Sequence, residues 1–235
     1  INYLGLLTVP VAYQKREHEK YLEVNPNTYL LPISASMYGT ENFLNSQKTR
    51  DVIFIGKAYG DRPKLLQYLH KHGIRLEIFG GPKWKKYFRN DVYKGFVNNS
   101  DYYFEIAKSK IVLALLESPK NPKLLHVNAK PFDAAKTGVA LIATKYKTFF
   151  EDYGFKDKRD LYSYTSKEEL LVSIKFLLEN EEKRQEIANN FREQITNNYD
   201  YDFLYRELFY FLTLSKFDRS EIRPARVLFV KRKSE

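Results

Sequence analysis

The feature that most constrains this chain is a series of short apolar runs that alternate with segments of helical period between residues 52 and 164. The runs are rich in β-branched residues and leucine and do not alternate with polar residues, which is typical of strands covered on both faces. The predicted strands are 52–55, 74–79, 95–97, 111–116, 139–143 and 160–164, with helices at 62–72, 101–108 and 128–137. This order predicts an α/β fold with a doubly wound parallel sheet.

Beyond residue 165 the pattern is helical throughout. Ser166 and Glu169 have the spacing of a capping box, which predicts a helix start, and a second helix is predicted over 181–197. The aromatic-rich residues 199–214 predict a third helix. A polar stretch at 34–50 marks a boundary. We therefore expect three parts: 1–45, a remnant of another domain with its linker; 46–198, the main domain; and 199–235, a helix and a basic tail.

Cysteine and histidine usage restricts the available chemistry. The 235 residues include no cysteine and four histidines, so disulfides, thiolate zinc sites and thiol nucleophiles are excluded. His70 and His72 fit cations at a helix C-terminus better than metal ligands, and we expect no metal site. No apolar run approaches the ~20 residues of a membrane span, and the first residues lack the features of a signal peptide. We expect a cytoplasmic protein.

The positive charge is concentrated in one part of the chain. The net charge is +10, and residues 51–150 alone carry +10, while residues 219–235 carry +4. A local positive field favours an anionic partner: a phosphorylated small molecule, nucleic acid or an acidic membrane surface. Composition does not choose among these three.

The loop after the first strand of the series is the first candidate site. Ligands of open α/β sheets bind outside the carboxyl ends of the strands. Gly56 and Lys57 begin this loop and Arg62 ends it, so backbone N–H groups and two cations are available to hold phosphate. An ordinary strand-to-helix turn explains the glycine equally well.

The loop after the second strand is the most basic stretch of the chain. Residues 80–89, which begin with Gly80 and Gly81, hold four cations interleaved with three aromatic residues. Such a mixture suits nucleic acid or a sugar phosphate. A solvated helix that packs Trp84 and Phe88 inward is the alternative. We expect contact with an anionic surface through residues 83–89 and 219–235, and for the tail a solvated end is the alternative.

The segment 128–138 is the third candidate. Asn128 can cap a helix and Pro131 is tolerated only in a first turn, so free amides point from the helix start toward the strand ends, with Lys130 beside them. Asp133 lies about one turn in, where a carboxylate accepts hydrogen bonds from vicinal hydroxyls such as those of a ribose. Complementation of the helix dipole is the alternative role for Asp133.

Five stretches follow one another in a recognisable order: 51–56 (DVIFIG), 74–81 (IRLEIFGG), 94–97 (KGFV), 130–138 (KPFDAAKTG) and the helical pair 166–197. In this order they resemble the donor-binding C-terminal domain of glycosyltransferases with the GT-B architecture, which has two facing Rossmann-like domains. Together they cover about residues 51–197. The resemblance is nearest to the CgeB-like glycosyltransferases and, in layout, to the phage DNA β-glucosyltransferase.

The resemblance implies a role for each candidate residue. Arg62 and Lys130 would hold a diphosphate, with Gly56 and Lys57 along the phosphates, and Asp133 would bind the ribose hydroxyls. The glycine pair Gly80 and Gly81 would end the second strand beside the donor, and the backbone at Phe96 and Val97 would hold the base. No metal or other cofactor is implied, since the nucleoside diphosphate sugar, linked to UDP or GDP, is the substrate.

Two departures from the family pattern limit what the resemblance assigns. The usual ribose glutamate is Asp133 here, and the first acidic residue of retaining members falls on Leu125. Neither retention nor inversion is therefore assigned, and no catalytic base is nominated.

The sequence leaves three functions open. The first is transfer of a sugar from a nucleoside diphosphate sugar to an acceptor hydroxyl of a glycan, a protein or nucleic acid, with basic residues and a helix N-terminus stabilising the leaving diphosphate. The second is a non-catalytic Rossmann-like module that binds nucleotide or nucleic acid. The third is a donor-binding half that is inactive without an acceptor domain.

Overall fold

The structure, a computed structural model, describes residues 11–12, 15–24, 29–115 and 129–206. They divide into two compact units. The larger contains residues 38–115 and 130–194, and the smaller contains the described residues up to Met37, Ala129 and the described residues from Ile195 onward.

The smaller unit contains a minimal parallel sheet. Strand β1 (Val11–Ala12), helix α1 (Lys15–Val24) and strand β2 (Tyr29–Leu30) form one β-α-β unit, and the two strands pair in parallel. Ala35 joins this part of the chain to the C-terminal part. Its N–H donates to the Tyr199 carbonyl over 3.1 Å, and its carbonyl accepts from Tyr201 N–H over 3.0 Å. Residues 201–206 are helical.

The larger unit contains the predicted sheet. Its strands are β3 (Arg50–Ile55), β4 (Leu76–Phe79), β5 (Tyr93–Gly95), β6 (Ser109–Ala114), β7 (Ala140–Thr144) and β8 (Tyr162–Tyr164). Its α-helices are α2 (Glu41–Leu44), α3 (Arg62–Lys71), α4 (Tyr102–Ala107), α5 (Lys130–Thr137), α6 (Lys147–Glu151), α7 (Lys167–Glu179) and α8 (Glu181–Asn198), the last of which runs on into the smaller unit, and a 3-10 helix covers Pro82–Lys86.

All six strands are parallel and lie in the order β5-β4-β3-β6-β7-β8. The chain moves outward from β3 to β5 and then crosses back to β6, so the strand order reverses between β3 and β6. That point is where doubly wound sheets bind ligands. The predicted Rossmann-like fold is confirmed.

The continuous apolar runs are buried as predicted. Ile53, Phe54, Ile111 and Leu113 on the two central strands are each at most 1% exposed. Helices covering both faces of the sheet account for this, because a strand with one solvated face would alternate buried and exposed residues.

Ser166 caps the N-terminus of α7 as predicted, but the Glu169 side chain bonds to Thr165 and not to Ser166. Ser166 Oγ accepts from Glu169 N–H over 3.1 Å. The Glu169 carboxylate accepts from the N–H and the hydroxyl of Thr165, each over 2.8 Å, and not from Ser166. These bonds from Thr165 hold the pKa of Glu169 below its usual value.

Several predicted boundaries were wrong by one or two residues, and some short elements were missed. The third strand is Tyr93–Gly95 and not 95–97, and the fourth begins at Ser109. Helices α2 and α6 were not predicted, because their four and five residues are too few to show a helical period. Asn128 and the parts of the predicted third helix and basic tail beyond residue 206 lie outside the described residues.

Candidate functional site

Arg62 spans the point where the strand order reverses. Its Nε donates to the carbonyl of Leu115, just beyond β6, over 3.0 Å, and its Nη1 donates to the carbonyl of Lys57, in the loop after β3, over 3.4 Å. The guanidinium lies 5.8 Å from the ring centroid of Phe54. Arg62 therefore ties together the two loops that border the switch point.

Lys130 is the first residue of α5, and its half-buried side chain lies in the same region. Its Nζ lies 5.9 Å from the ring centroid of Tyr102. Burial lowers the pKa of Lys130; the carboxylate of Asp133 opposes this shift, and the charge of Arg62 adds to it. Two cations thus share one partly desolvated region at the carboxyl edge of the sheet. Such a pair of charges favours an anion.

Asp133 is held by a tyrosine from another helix. Its side chain is buried in the first turn of α5, and Oδ2 accepts from the Tyr102 hydroxyl over 2.7 Å. Burial raises the pKa of Asp133, whereas the Tyr102 hydrogen bond and the charge of Lys130 act in the opposite direction. The same burial and the nearby Asp133 charge raise the pKa of Tyr102. The carboxylate position near the helix start agrees with the dipole role as well.

A second tyrosine of α4, Tyr103, also contacts α5, through Lys136. Lys136 Nζ lies 3.0 Å from the Tyr103 hydroxyl and 4.8 Å from its ring centroid. Tyr103 packs edge-on against Tyr102 at 5.2 Å. Sequence reasoning missed both tyrosines, because nothing in the spacing of residues 101–108 shows that α4 packs against α5.

Backbone hydrogen bonds join the carboxyl ends of β3, β4 and β5. Gly56 N–H donates to the Phe79 carbonyl over 2.9 Å, and Gly80 N–H donates to the Gly95 carbonyl over 2.8 Å. A Cβ on Gly80, whose φ is +152°, would lie 2.1 Å from the carbonyl oxygen of Gly56. Gly80 is required for this close approach, independently of any ligand.

The remaining predicted residues lie at the same carboxyl edge. Lys57 is exposed in the loop after β3, and Val97 is half-buried beyond the edge strand β5. Phe96 is 75% exposed, and a Cβ on Gly81 would lie 3.9 Å from its ring. The structure thus brings Arg62, Lys130 and Asp133 together at the switch point, and places the Gly80 to Phe96 region toward the sheet edge.

A pair of hydroxyl groups ends the last two strands. Thr144 Oγ1 and the Tyr164 hydroxyl lie 2.9 Å apart, at the carboxyl ends of β7 and β8. Burial raises the pKa of Tyr164 to about 12, and the Thr144 hydrogen bond and the charge of Arg62 limit the rise. This pair was not predicted, since single threonine and tyrosine residues give no recognisable pattern.

The basic stretch after β4 folds as the alternative interpretation predicted. Trp84 and Phe88 are buried, whereas the cations at 83, 85, 86 and 89 are exposed. The Trp84 indole N–H donates to the Gly56 carbonyl over 2.8 Å. Trp84 and Phe88 therefore anchor the segment and are not exposed for stacking, while Tyr87 between them is half-buried.

A cavity of about 410 Å³ lies at the opposite, amino edge of the sheet. Its charged lining residues are Asp91 and Lys94 together with four that already form ion pairs: Arg50, Asp51, Arg75 and Glu77. Arg50 bonds Glu77 and Glu105, each at 2.5 Å, and Asp51 lies 2.8 Å from Lys110 and 3.6 Å from Arg75. Because these charges are compensated, and ligands of such sheets bind at the carboxyl edge, we place the candidate site at the switch point.

The described residues contain neither a metal-binding cluster nor a membrane-spanning helix. No group of three or more histidine or acidic side chains there is arranged to hold a metal ion. Within the same ranges, no helix has the length and apolar character needed to cross a bilayer.

Comparisons with known proteins identify relatives of this fold. A family model described as glycosyl transferase-like matches residues 62–209, more than half of the chain. No curated protein sequence matches the chain.

Several solved glycosyltransferase structures have a similar fold. The fold is similar to a mutant of S. aureus TarM in complex with Fondaparinux, alpha-GlcNAc-glycerol and UDP, with TM-score 0.65 and 12% identity over 88% of this chain and 44% of that one. It is similar to Anabaena HepE in complex with UDP and glucose (TM-score 0.64, 11% identity, 90% and 64% covered). A glycosyltransferase from Rickettsia africae gives TM-score 0.61 and 11% identity, with 88% and 64% covered. At these identities the likeness shows the fold, and the chain spans less than half the length of TarM.

Proposed function

The chain belongs to the glycosyl transferase-like family, and from that premise we propose that it binds a nucleoside diphosphate sugar and transfers the sugar to an acceptor hydroxyl. The observation that carries the proposal is the convergence of Arg62 and Lys130 at the switch point of the sheet. A nucleoside diphosphate is the anion that this arrangement fits, because its phosphates carry the charge and its ribose presents vicinal hydroxyls.

The proposed donor pose follows the sheet edge. The diphosphate lies against Arg62, Lys130 and the first amides of α5, with Gly56 and Lys57 alongside. The ribose hydroxyls approach the Asp133 carboxylate. The base lies toward β5, near the backbone of Phe96 and Val97 and the glycines Gly80 and Gly81.

The proposed chemistry needs no bound metal. The bond between the sugar C1 and the diphosphate oxygen breaks, and the bond between C1 and the acceptor oxygen forms. The electron pair and the negative charge pass to the leaving diphosphate, which Arg62, Lys130 and the helix amides stabilise. The acceptor hydroxyl loses its proton to a base that we do not assign to any residue.

UDP is the first nucleotide to test. TarM and HepE, which share this fold, were solved in complexes that include UDP. The acceptor that we propose is a hydroxyl of a glycan, a protein or nucleic acid.

A donor-binding half is the second candidate. It is favoured by the coverage, since this chain spans 44% of TarM and 64% of HepE. Residues 1–45 are then a remnant of the acceptor-side domain and 46–198 the donor domain. Such a protein binds the donor but does not turn it over.

Calorimetric titration of UDP, GDP and ADP, followed by an assay for release of nucleotide from the sugar conjugate, tests both candidates. Base-selective binding with turnover supports the transferase, and binding without turnover supports the donor half. Absence of binding to all three by folded protein contradicts the donor site itself and favours a module that binds other polyanions.

A further inference from the structure

The outer edge of the sheet carries a concentrated and uncompensated positive charge. Residues 82–94 contain one carboxylate, Asp91, and five cations, all of them exposed. We call the five cations the outer basic surface: Lys83, Lys85, Lys86, Arg89 and Lys94. Among the residues that the structure describes, none of the five forms an ion pair.

This surface is held rigidly by its own aromatic residues. The Trp84 side chain is fully buried, packs edge-on against Phe54 at 5.8 Å, and donates to the Gly56 carbonyl. Phe88 is also buried and contacts Trp84 at 5.9 Å between ring centroids. Because two buried rings anchor the backbone between Lys83 and Arg89, the four cations of this stretch project from one packed segment, and Lys94 follows on the edge strand β5.

The arrangement argues against a nucleic-acid partner. Proteins that bind single strands stack bases on exposed aromatic rings. Here three aromatic residues lie between the cations at 83 and 89: Trp84 and Phe88 are buried and Tyr87 is half-buried, so this stretch offers no series of exposed rings on which successive bases could stack. What remains is a sequence-independent positive surface.

An exposed apolar ring lies beside the cations. Phe96, two residues after Lys94, is 75% exposed, and its ring is the nearest side chain to Gly81, two residues before Lys83. Cations around an exposed aromatic residue are typical of surfaces that bind the bilayer interface, where the charges meet anionic headgroups and the ring enters the headgroup layer.

We propose that the outer basic surface docks the protein on an anionic phospholipid bilayer. Each Lys or Arg near such a surface strengthens binding by about fivefold, so four or five together suffice for reversible docking at low salt. The attraction fades within about 10 Å at 0.1 M salt, so it acts only when the surface lies against the headgroups. This proposal does not depend on the donor site, because none of the five cations belongs to that site, and Phe96 is proposed to contact the base through its backbone and the bilayer through its ring.

A matched pair of charge variants tests the proposal. The surface variant carries Lys83→Gln, Lys85→Gln, Lys86→Gln and Arg89→Gln. The control carries Lys20→Gln, Lys147→Gln, Lys156→Gln and Lys175→Gln, four exposed lysines elsewhere on the described chain. Both variants lose the same total charge. The fluorescence of Trp84, the only tryptophan in the sequence, reports whether each variant is folded.

Co-sedimentation with phosphatidylcholine vesicles, with and without phosphatidylserine, is the readout. We expect the wild type to bind only the vesicles that contain phosphatidylserine, and this binding to weaken with salt. The surface variant should bind at least about tenfold more weakly, the control should bind nearly as the wild type does, and both should bind UDP as the wild type does.

Three results would overturn the proposal. One is a wild-type protein that does not bind vesicles containing phosphatidylserine. Another is an equal loss in both folded variants, which would show a response to net charge and not to this surface. The third is binding to duplex DNA, lost in the surface variant, by a protein that does not bind vesicles, which would identify nucleic acid as the partner.

Discussion

The hydroxyl of Tyr102 donates to Oδ2 of Asp133 over 2.7 Å and so joins the first turn of α4 to the first turn of α5. The two helices flank β6, one before it and one after it in the chain. A carboxylate accepts up to about four hydrogen bonds, so the Tyr102 bond fixes Asp133 while leaving acceptor positions for a ribose. Tyr102 therefore acts as a positioning residue for the proposed ribose contact.

Removing that hydroxyl should affect both stability and ribose recognition. We expect Tyr102→Phe to lower the free energy of unfolding by about 1–3 kcal/mol, because a buried carboxylate oxygen loses its donor. It should also reduce the preference for UDP over 2′-deoxy-UDP, measured by calorimetry. Tyr68→Phe, which removes a hydroxyl from α3, is the control and should leave that preference intact. A Tyr102→Phe protein that is less stable but discriminates as well as the wild type would assign Tyr102 a structural role alone.

The glycine pair after β4 should respond unequally to alanine. A methyl group at Gly80 would lie 2.1 Å from the Gly56 carbonyl oxygen, whereas at Gly81 it meets nothing closer than 3.9 Å. We expect Gly80→Ala to destabilise the protein by about 3 kcal/mol or more, and Gly81→Ala by less than about 1 kcal/mol. Chemical denaturation of both variants measures this. Equal effects would show that the close approach of the β3 and β4 ends is not rigid.

The affinity for UDP should depend on pH through Lys130. Burial lowers the pKa of Lys130 from the ordinary 10.5, so its ammonium loses a proton, and the diphosphate loses a cation, at a lower pH than for an exposed lysine. The affinity should therefore fall as the pH is raised toward 10.5. Lys130→Arg keeps its charge throughout. Ionisation of UDP itself affects both proteins equally, and parallel pH profiles would contradict this role.

The stability of the fold should depend on pH through Lys48. Burial, and secondly the charge of Arg184, lower the pKa of Lys48 to about 8, while its Nζ donates to the Ala107 carbonyl over 2.7 Å. Between pH 8 and 10.5 the unfolded chain binds a proton that the folded chain has lost, so stability rises with pH in this window. With solvent screening the gain is roughly 1–2 kcal/mol.

The matching variant is Lys48→Met, which lacks the titrating group. The free energy of unfolding of the wild type relative to Lys48→Met should increase between pH 8 and 10. Other lysines and tyrosines titrate in both proteins, so they cancel in the difference. A difference that stays constant across this range would show that Lys48 titrates normally.

The sheet and its order were predictable because the relevant signal is local. Runs such as 52–55 and 111–116 are long enough to show burial on both faces, and their alternation with helices implies parallel strands. The loops at the strand ends followed from the same reasoning, which is why the positions of Arg62 and Lys130 at the carboxyl edge were predictable, while their role in binding stays a prediction.

The contacts between helices were not predictable from one sequence. Tyr102 and Asp133 are 31 positions apart, and no local pattern encodes that α4 packs on α5. The inward orientation of Trp84 was one of two alternatives, because a run of alternating cations and aromatic residues is equally compatible with either face. The resemblance to the CgeB-like glycosyltransferases and the role of each donor-binding residue stay predictions.

The central claim is that the donor nucleotide binds at the switch point and not in the cavity at the amino edge. The most direct test is calorimetric titration of UDP into Arg62→Ala, Lys130→Ala and Arg75→Ala, the last of which alters the amino-edge cavity. We predict that the first two variants bind UDP about 10- to 150-fold more weakly than the wild type, as expected for a lost hydrogen bond to a charged group, and that Arg75→Ala binds normally. Loss of binding in Arg75→Ala alone would contradict the account.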